Sequence, residues 1–376
     1  MYMGSEILML SPLILYAGFR VWRLHRGKGQ RILWIALFLL LVLGYPLAET
    51  LSHGSGNRWA AGLMNAGYIT LPLMLYLVLT VLVSDAVIGL GRLTRLFSKE
   101  GVRSPRFRRI RLGLLLVLPA AVVAFGAWNF QRLQLQEYTV EIPRKSAKGP
   151  GLTIVFASDF HLQERTARGM MDRFAAKVNA TKPDLVLIGG DIVEGDSGND
   201  NLDASAAAFR GIRSTYGVFG VLGNHDSYSG NPSAFFAKAG IKMLLDKVEK
   251  IDESIYLAGR LDGRSRSRTG TRKSIDVLLA DVPEDLPIVV LDHRPTDLDN
   301  VSRSRADLQV SGHTHNAQLF PLNIFAKREY EIAWGYGIKG RTQVIVSSGI
   351  QGWGPPVRTA GASEILVIRV VFRDGR

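Results

Sequence analysis

Four long apolar runs crowd the first 130 residues of this 376-residue chain, and they constrain its fold more than any other feature. Ile7–Trp22, Ile32–Ala48, roughly Ala60–Leu90 and Leu112–Phe130 approach or exceed the about 20 residues that cross a bilayer core as a helix. In hydrocarbon every backbone polar group must be satisfied within its own segment, so such runs are helices. None shows the amphipathic stripe of a helix packed on a soluble core. The expectation is a four-helix transmembrane region over residues 1–131, with spans at about 7–22, 32–48, 62–90 and 112–130. Trp22, Trp34, Trp59 and Trp128 stand near run ends, as interfacial aromatics do. Asn65 and Asp85 are polar groups of the third run, and Asp85 is expected at a helix end. Simple anchoring accounts for these spans more economically than transport.

The loops between the runs assign an orientation. Arg23, Arg26, Lys28 and Arg31 separate the first two runs, and eight Lys and Arg residues from Arg92 to Arg111 separate the last two. The middle loop has only Arg58. Lys and Arg in short loops stay in the cytoplasm, which places both basic loops inside and everything after Phe130 outside. The expected location is the cytoplasmic membrane, multi-pass, with the second half of the chain on the extracytoplasmic side. His25 and His53 lie in connecting loops and carry no expected role.

Charge separates the two halves as sharply as hydropathy. Residues 1–150 have 18 Lys and Arg against 6 Asp and Glu, whereas residues 151–376 have 28 against 27. A nearly neutral second half lacks the basic face that phosphate-backbone binding needs, so nucleic acid is not an expected partner. The Arg-rich stretch from Arg260 to Lys273 reads as a solvated surface loop. With no cysteine in the chain, disulfides and thiolate metal sites are excluded.

From residue 135 onward, short β-branched runs alternate with helical patterns. Strands are expected at Leu135–Ile142, Leu152–Ala157, Leu185–Ile188, Val218–Leu222, Ile255–Leu257, Ile288–Leu291, Leu308–Val310, Gln343–Ser347 and Ile365–Val371. Helices are expected at Glu164–Asn179, Leu202–Ser214 and Pro232–Ala239. This alternation predicts a layered α/β domain over residues 135–376, with a mixed two-sheet sandwich because the later strands have few helices between them.

Five of these runs end in residues of metal-ligand type: Asp159-Phe160-His161, Gly190-Asp191, Gly223-Asn224-His225-Asp226, Asp292-His293 and Gly312-His313-Thr314-His315. They hold five of the seven histidines. Open α/β sheets bind ligands beyond the carboxyl ends of their strands, so all five islands stand where a site belongs. In extended backbone, residues i and i+2 share a face, so Asp159 with His161, and His313 with His315, would each point two ligands one way. Imidazole and carboxylate without thiolate suit Mn, Fe or Zn.

In order and spacing the islands match the pattern D-x-H, G-D, G-N-H-[D/E], a lone His, then G-H-x-H. Residues 135–376 resemble the calcineurin-like metallophosphoesterase superfamily. Within it the chain is similar to membrane-anchored phosphodiesterases of the YkuE/YaeI type, given its apolar front half, the Ser158–Leu162 stretch and the Gly349–Arg358 stretch around Trp353. The resemblance implies an αββα sandwich holding two divalent metal ions (Mn, Fe or Zn). One ion would take Asp159, His161 and His315, the other Asn224, His293 and His313, with Asp191 bridging.

Such a pair clamps a phosphate oxygen and turns a bridging water into the attacking group, without a protein nucleophile. His225 would stabilise the transition state or protonate the leaving alkoxide, oriented by Asp226. Two positions depart from the family pattern. Asn316-Ala317 stands where relatives of this type have Gly-Gly, and Glu194 where a common pattern has Asp; both are expected to alter the mouth of the site and neither to ligate. The implied function is a phosphodiesterase acting on an envelope or lipid-linked phosphoester. A phosphomonoesterase or nucleotidase of the same fold, and a non-catalytic membrane scaffold, are the alternatives.

Overall fold

The computed structural model describes residues 3–52, 58–163, 168–194, 200–226, 233–263 and 271–374. The chain divides into two compact units, Met1–Trp128 with Gly354–Thr359, and Asn129–Trp353 with Ala360–Arg376.

The first unit is helical: α1 (Met3–Trp22), α2 (Lys28–Ser52), α3 (Arg58–Leu93), the short α4 (Lys99–Arg103) and α5 (Pro105–Phe130). Among the described residues three helices are long and apolar enough to cross a membrane, Lys28–Leu51, Trp59–Leu93 and Pro105–Phe130. That is three candidate spans where four were expected. The first run does form a helix, Met3–Trp22, with Pro12 inside it and Arg20 in its last turn. His53 lies outside the described residues.

Asp85 is not at a helix end but inside α3, eight residues before its close. It accepts hydrogen bonds from Tyr16 Oη (2.7 Å) and Arg20 Nε (2.6 Å), and Arg20 and Arg111 both pair with its Oδ1. One carboxylate thereby ties α1, α3 and α5 together. A core of Ile14, Ala17, Val21, Trp34, Leu77, Val81 and Leu115 surrounds that tie with apolar packing.

The second unit contains β1 (Leu133–Pro143), β2 (Gly151–Ala157), α6 (Arg168–Ala180), β3 (Leu185–Ile188), α7 (Asp200–Arg210), β4 (Val218–Gly220), α8 (Ser233–Ala239), β5 (Lys242–Met243), β6 (Lys247–Ile251) and β7 (Ile255–Gly259). These are followed by α9 (Ile275–Leu279), β8 (Ile288–Leu291), α10 (Leu298–Arg303), β9 (Leu308–Ser311), α11 (Leu322–Glu329), β10 (Gly335–Lys339), β11 (Thr342–Val346) and β12 (Ser363–Arg373). Two six-stranded mixed sheets result, ordered β1-β12-β2-β3-β4-β5 and β10-β11-β9-β8-β7-β6.

Strand periodicity explains the layering. In β2, Ile154 and Phe156 join β3 Leu185 and Leu187, β8 and β9 in the core between the sheets. The intervening Val155 and Ala157 pack with Phe174 of α6, Phe209 of α7 and Phe235 of α8 on the other face. Strands covered on both faces read as continuous apolar runs, which is why β3 and β8 could be bounded from sequence to the residue. On the second sheet's outer face, Leu298 of α10 packs on Val344 and Val346 of β11. The order of layers is therefore helix, sheet, sheet, helix.

This architecture brings one set of strand ends together. β2, β3 and β4 run parallel in the first sheet, as do β8 and β9 in the second. The five polar islands begin within three residues of the carboxyl ends of these five strands.

Candidate metal centre

Asp159, His161 and Asp191 follow β2 and β3; Asn224 and His225 follow β4; His293 follows β8; His313 and His315 follow β9. The backbone turns sharply to aim them. Asp159 (φ 57°), His161 (φ 42°), Asp191 (φ 50°), His313 (φ 71°) and His315 (φ 51°) all adopt the left-handed region. Non-glycine residues held there store local strain that the surrounding fold must offset, and such strain concentrates at functional sites.

The extended backbone expected for Asp-x-His and His-x-His is therefore not what presents these residues. His315 turns towards Asp159 and His161, while His313 turns towards Asp191 and His293. Gly223 fits because it has no Cβ; a side chain there would strike the Asp191 carboxylate.

Ligand atoms fall into three overlapping groups, each within 4.8 Å: Asp159, His161 and His315; His161, Asp191 and His225; Asp191, His293 and His313. Asp191 and His161 are shared, so the groups form one continuous cage. His161 Nε2 lies 3.3 Å from His315 Nε2, and His315 Nε2 lies 3.6 Å from Asp159 Oδ1. On the other side, His293 Nε2 is 3.3 Å from both Asp191 Oδ2 and Asn224 Oδ1. Asp159, Asp191 and His293 are buried. This donor set, all imidazole, carboxylate and amide oxygen, fits divalent Mn, Fe or Zn.

Backbone groups fix the ring orientations. Gly189 O faces His293 Nδ1 at 2.8 Å, and Gln351 O faces His315 Nδ1 at 3.3 Å. Each contact leaves Nε2 as the inward-facing nitrogen, the arrangement by which outer partners set a ligating histidine's tautomer. Asp191 also accepts from the His225 backbone N–H at 2.8 Å, so the strand-end loops brace one another.

Electrostatics follow from burial and crowding. Burial opposes the charged form of Asp191, but His293, His161 and His225 outweigh it and hold the carboxyl well below its usual range. Burial likewise pulls His293 down, yet Asp191 prevails and raises it to about 10. His313 has burial, His293 and Arg294 all acting against its cation, and falls to about 2. Two neighbouring imidazoles thus end far apart: Asp191 prevails over burial at His293, whereas burial and the His293 and Arg294 cations prevail at His313.

The predicted His225–Asp226 pairing does not form. Asp226 is wholly buried and accepts backbone N–H bonds from Ile192, Val193 and Gly223, each at 2.8 Å. It clamps the β3 loop to the β4 loop instead of holding an imidazole. The carboxylate beside His225 is Glu194, whose Oε1 is 3.4 Å from Nδ1, while its Oε2 is 3.2 Å from His161 Nδ1. Burial raises the Glu194 carboxyl, but the neighbouring His161 and His225 imidazoles depress it strongly. Glu194, expected only to alter the mouth of the site, instead braces two of its histidines; its spacing of three residues from Asp191 is the sequence signal for that role.

One further expectation gains a structural setting and another changes. Asn316 and Ala317 both sit at φ 50°, a conformation that glycine adopts freely and alanine only under strain. The Arg260–Lys273 stretch is not simply a solvated loop. Arg260 is buried and pairs with Asp292 and Asp297, and Arg272 pairs with Asp292. These cations neutralise the buried carboxylate next to His293, as a charge at that depth requires. Residues 264–270 lie outside the described residues.

Residues 152–317 match the calcineurin-like phosphoesterase family. The chain is 31% identical over 258 residues to an uncharacterized metallophosphoesterase of Aquifex aeolicus, covering 66% of this chain and 97% of that protein. It is 30% identical over 296 residues to a transmembrane protein with metallophosphoesterase domain of Danio rerio, covering 73% of this chain and 67% of that one. Similarity to the uncharacterized metallophosphoesterase YkuE of Bacillus subtilis is lower, 23% over 227 residues, covering 56% and 77%. The chain spans 60% of the length of the metallophosphoesterases of Helicobacter pylori that it matches.

Proposed function

The chain belongs to the calcineurin-like metallophosphoesterase family, and from that premise we propose that it is a binuclear-metal-dependent phosphodiesterase acting on an envelope or lipid-linked phosphoester. The observation that carries this reading is the convergence of Asp159, His161, Asp191, His293, His313 and His315 from separate strand-end loops into one cage. In the proposed assignment Asp159, His161 and His315 hold one divalent ion, Asn224, His293 and His313 hold the second, and Asp191 is shared. Bound there, such a pair supplies phosphate charge neutralisation and a water acidified to near-neutral pKa.

The protein's own side chains do the rest. His225 has its Nδ1 beside Glu194, which leaves Nε2 to hold a proton for the leaving-group oxygen. Glu194 keeps His225 and His161 in register with each other. Gln351 binds the Phe160 carbonyl through Nε2 at 2.6 Å and fixes the loop that carries His161.

Three apolar helices and the transmembrane relative point to membrane association. The proposed setting is the cytoplasmic membrane, multi-pass, with the hydrolase unit outside. A reporter active only outside the cytoplasm, fused after Arg376, should give signal; silence reverses the topology. The activity itself is tested with bis-p-nitrophenyl phosphate and p-nitrophenyl phosphate on the purified chain. Chelator-sensitive hydrolysis that favours the diester supports the reading, preference for the monoester selects a phosphomonoesterase, and no metal-dependent hydrolysis of either rejects both.

A further inference from the structure

Helix α11 follows the His315 turn by a few residues and is built inside out. Leu322, Ile324 and Phe325, with Phe320 just before them, are exposed at 38%, 48%, 59% and 54%. The residues that turn partly inward are Asn323 and Ala326, and none of the eight residues is buried. A helix seated on a soluble core does the reverse, placing its large apolar side chains inward and its polar ones outward. Lys327 and Arg328, against the single carboxylate Glu329, close the helix.

We infer that α11 is an interfacial membrane-docking helix whose Phe320–Phe325 face enters the headgroup boundary of a lipid bilayer. Two features select lipid over a protein partner. The segment is short, with a compact cluster of Phe, Leu and Ile beside cations suited to anionic headgroups, as in helices that lie in a membrane surface. Among its described residues the same chain has three helices long and apolar enough to cross a bilayer, which supplies a lipid surface. Exposed large apolar side chains grouped within six residues also form the kind of patch that marks an interaction surface. The helix runs on to Tyr330, whose ring lies 6.1 Å from that of His313, so docking would bring lipid close to the cage. The docking does not depend on the hydrolase reading.

The chain contains no cysteine, so a single introduced cysteine gives one labelling position. Full-length Phe325→Cys and Ile324→Cys, and the control Val277→Cys at an exposed position of α9, are labelled with an environment-sensitive fluorophore. Each is reconstituted into phosphatidylcholine–phosphatidylglycerol vesicles with or without doxyl-labelled phosphatidylcholine. The two α11 labels should be quenched about twofold or more beyond the control, as for side chains seated at the acyl boundary. Quenching no greater than the control overturns the inference. Iodide access then identifies a free surface, and iodide protection a protein contact or second copy. Two α11 reporters guard against one misfolded variant, and a readout that needs no turnover separates this result from the fate of the proposed activity.

Discussion

Two carboxylates organise the two units of this protein, Asp85 partly buried and Asp191 buried, and they differ in the cations they gather. Asp85 joins three apolar helices by pairing with Arg20 and Arg111 and accepting from Tyr16. Asp191 joins the strand-end loops by gathering imidazoles: His293 at 3.3 Å and His161 at 4.0 Å. Arginine keeps its proton at any physiological pH, so the Asp85 cluster is a permanent tie. Imidazole exchanges a proton for a metal ion near neutrality, so the Asp191 cluster can be loaded. The partner's chemistry, more than burial or distance, separates a fastener from a site.

The strongest challenge to that contrast is Asp191→Ala. It should abolish both bound metal and diester hydrolysis, a larger loss than the about 10–100-fold typical of groups that only support metal ligands. Elemental analysis beside a bis-p-nitrophenyl phosphate assay reads it, and retained metal would end the idea of a shared bridging ligand. Next comes His225→Ala, expected to lower kcat by about 10²–10⁴-fold while metal content stays near that of the parent. Loss of metal in that variant would move His225 into the ligand set, which its place in the triad with His161 and Asp191 allows.

Glu194→Gln should cost about 10–100-fold in kcat with KM little changed, and Glu194→Asp should recover part of it. Equal loss in both variants would make side-chain length as necessary as charge, since glutamine keeps the length and aspartate the charge. Asp226→Asn, by contrast, should act on thermal stability, because its oxygens serve three backbone N–H groups.

The pH dependence of metal uptake is a smaller and more graded test. His293, raised to about 10 by Asp191, holds its proton through the neutral range in chelated protein. The ion assigned to His293 must displace that proton, so Mn²⁺ uptake weakens as pH falls, measurably between pH 8 and 6 by titration calorimetry. In the chelated protein the same group stabilises the fold fully below the ordinary imidazole value of 6.5, and that contribution is lost as pH rises through about 10. The least effect on catalysis is expected from Asp85→Asn, which should leave metal content intact. It should lower stability of the helical unit by about 1–3 kcal/mol through the arginines it orphans, read as an earlier melting transition in detergent.

The legible parts of the fold were those under simple constraints. β3 and β8 are apolar on both faces and could be bounded to the residue. β5 and β6, with Lys242, Lys247, Glu249 and Lys250, were not anticipated, since charged edge strands lack the apolar run that marks a strand. The glycine-containing edge strand β10 was missed for a related reason. Helix α11 escaped because its apolar residues face outward, against the pattern by which helices are found. At the site the islands were visible, but the carboxylate partner of His225 was misassigned: adjacency favoured Asp226, whereas the left-handed turns at the strand ends delivered Glu194.

By itself the sequence determined the inventory: apolar helices long enough for a bilayer, a neutral α/β half, and seven ligand-type side chains placed just beyond apolar runs. These follow from short-range chemistry, since hydropathy, charge and strand period are properties of neighbours along the chain. Tertiary structure alone decided which side chains face one another across the cage, which carboxylate braces which imidazole, and that Asp85 closes a three-helix tie. Those pairings join residues tens to hundreds of positions apart, and their geometry exists only once sheets pack and strand ends turn together.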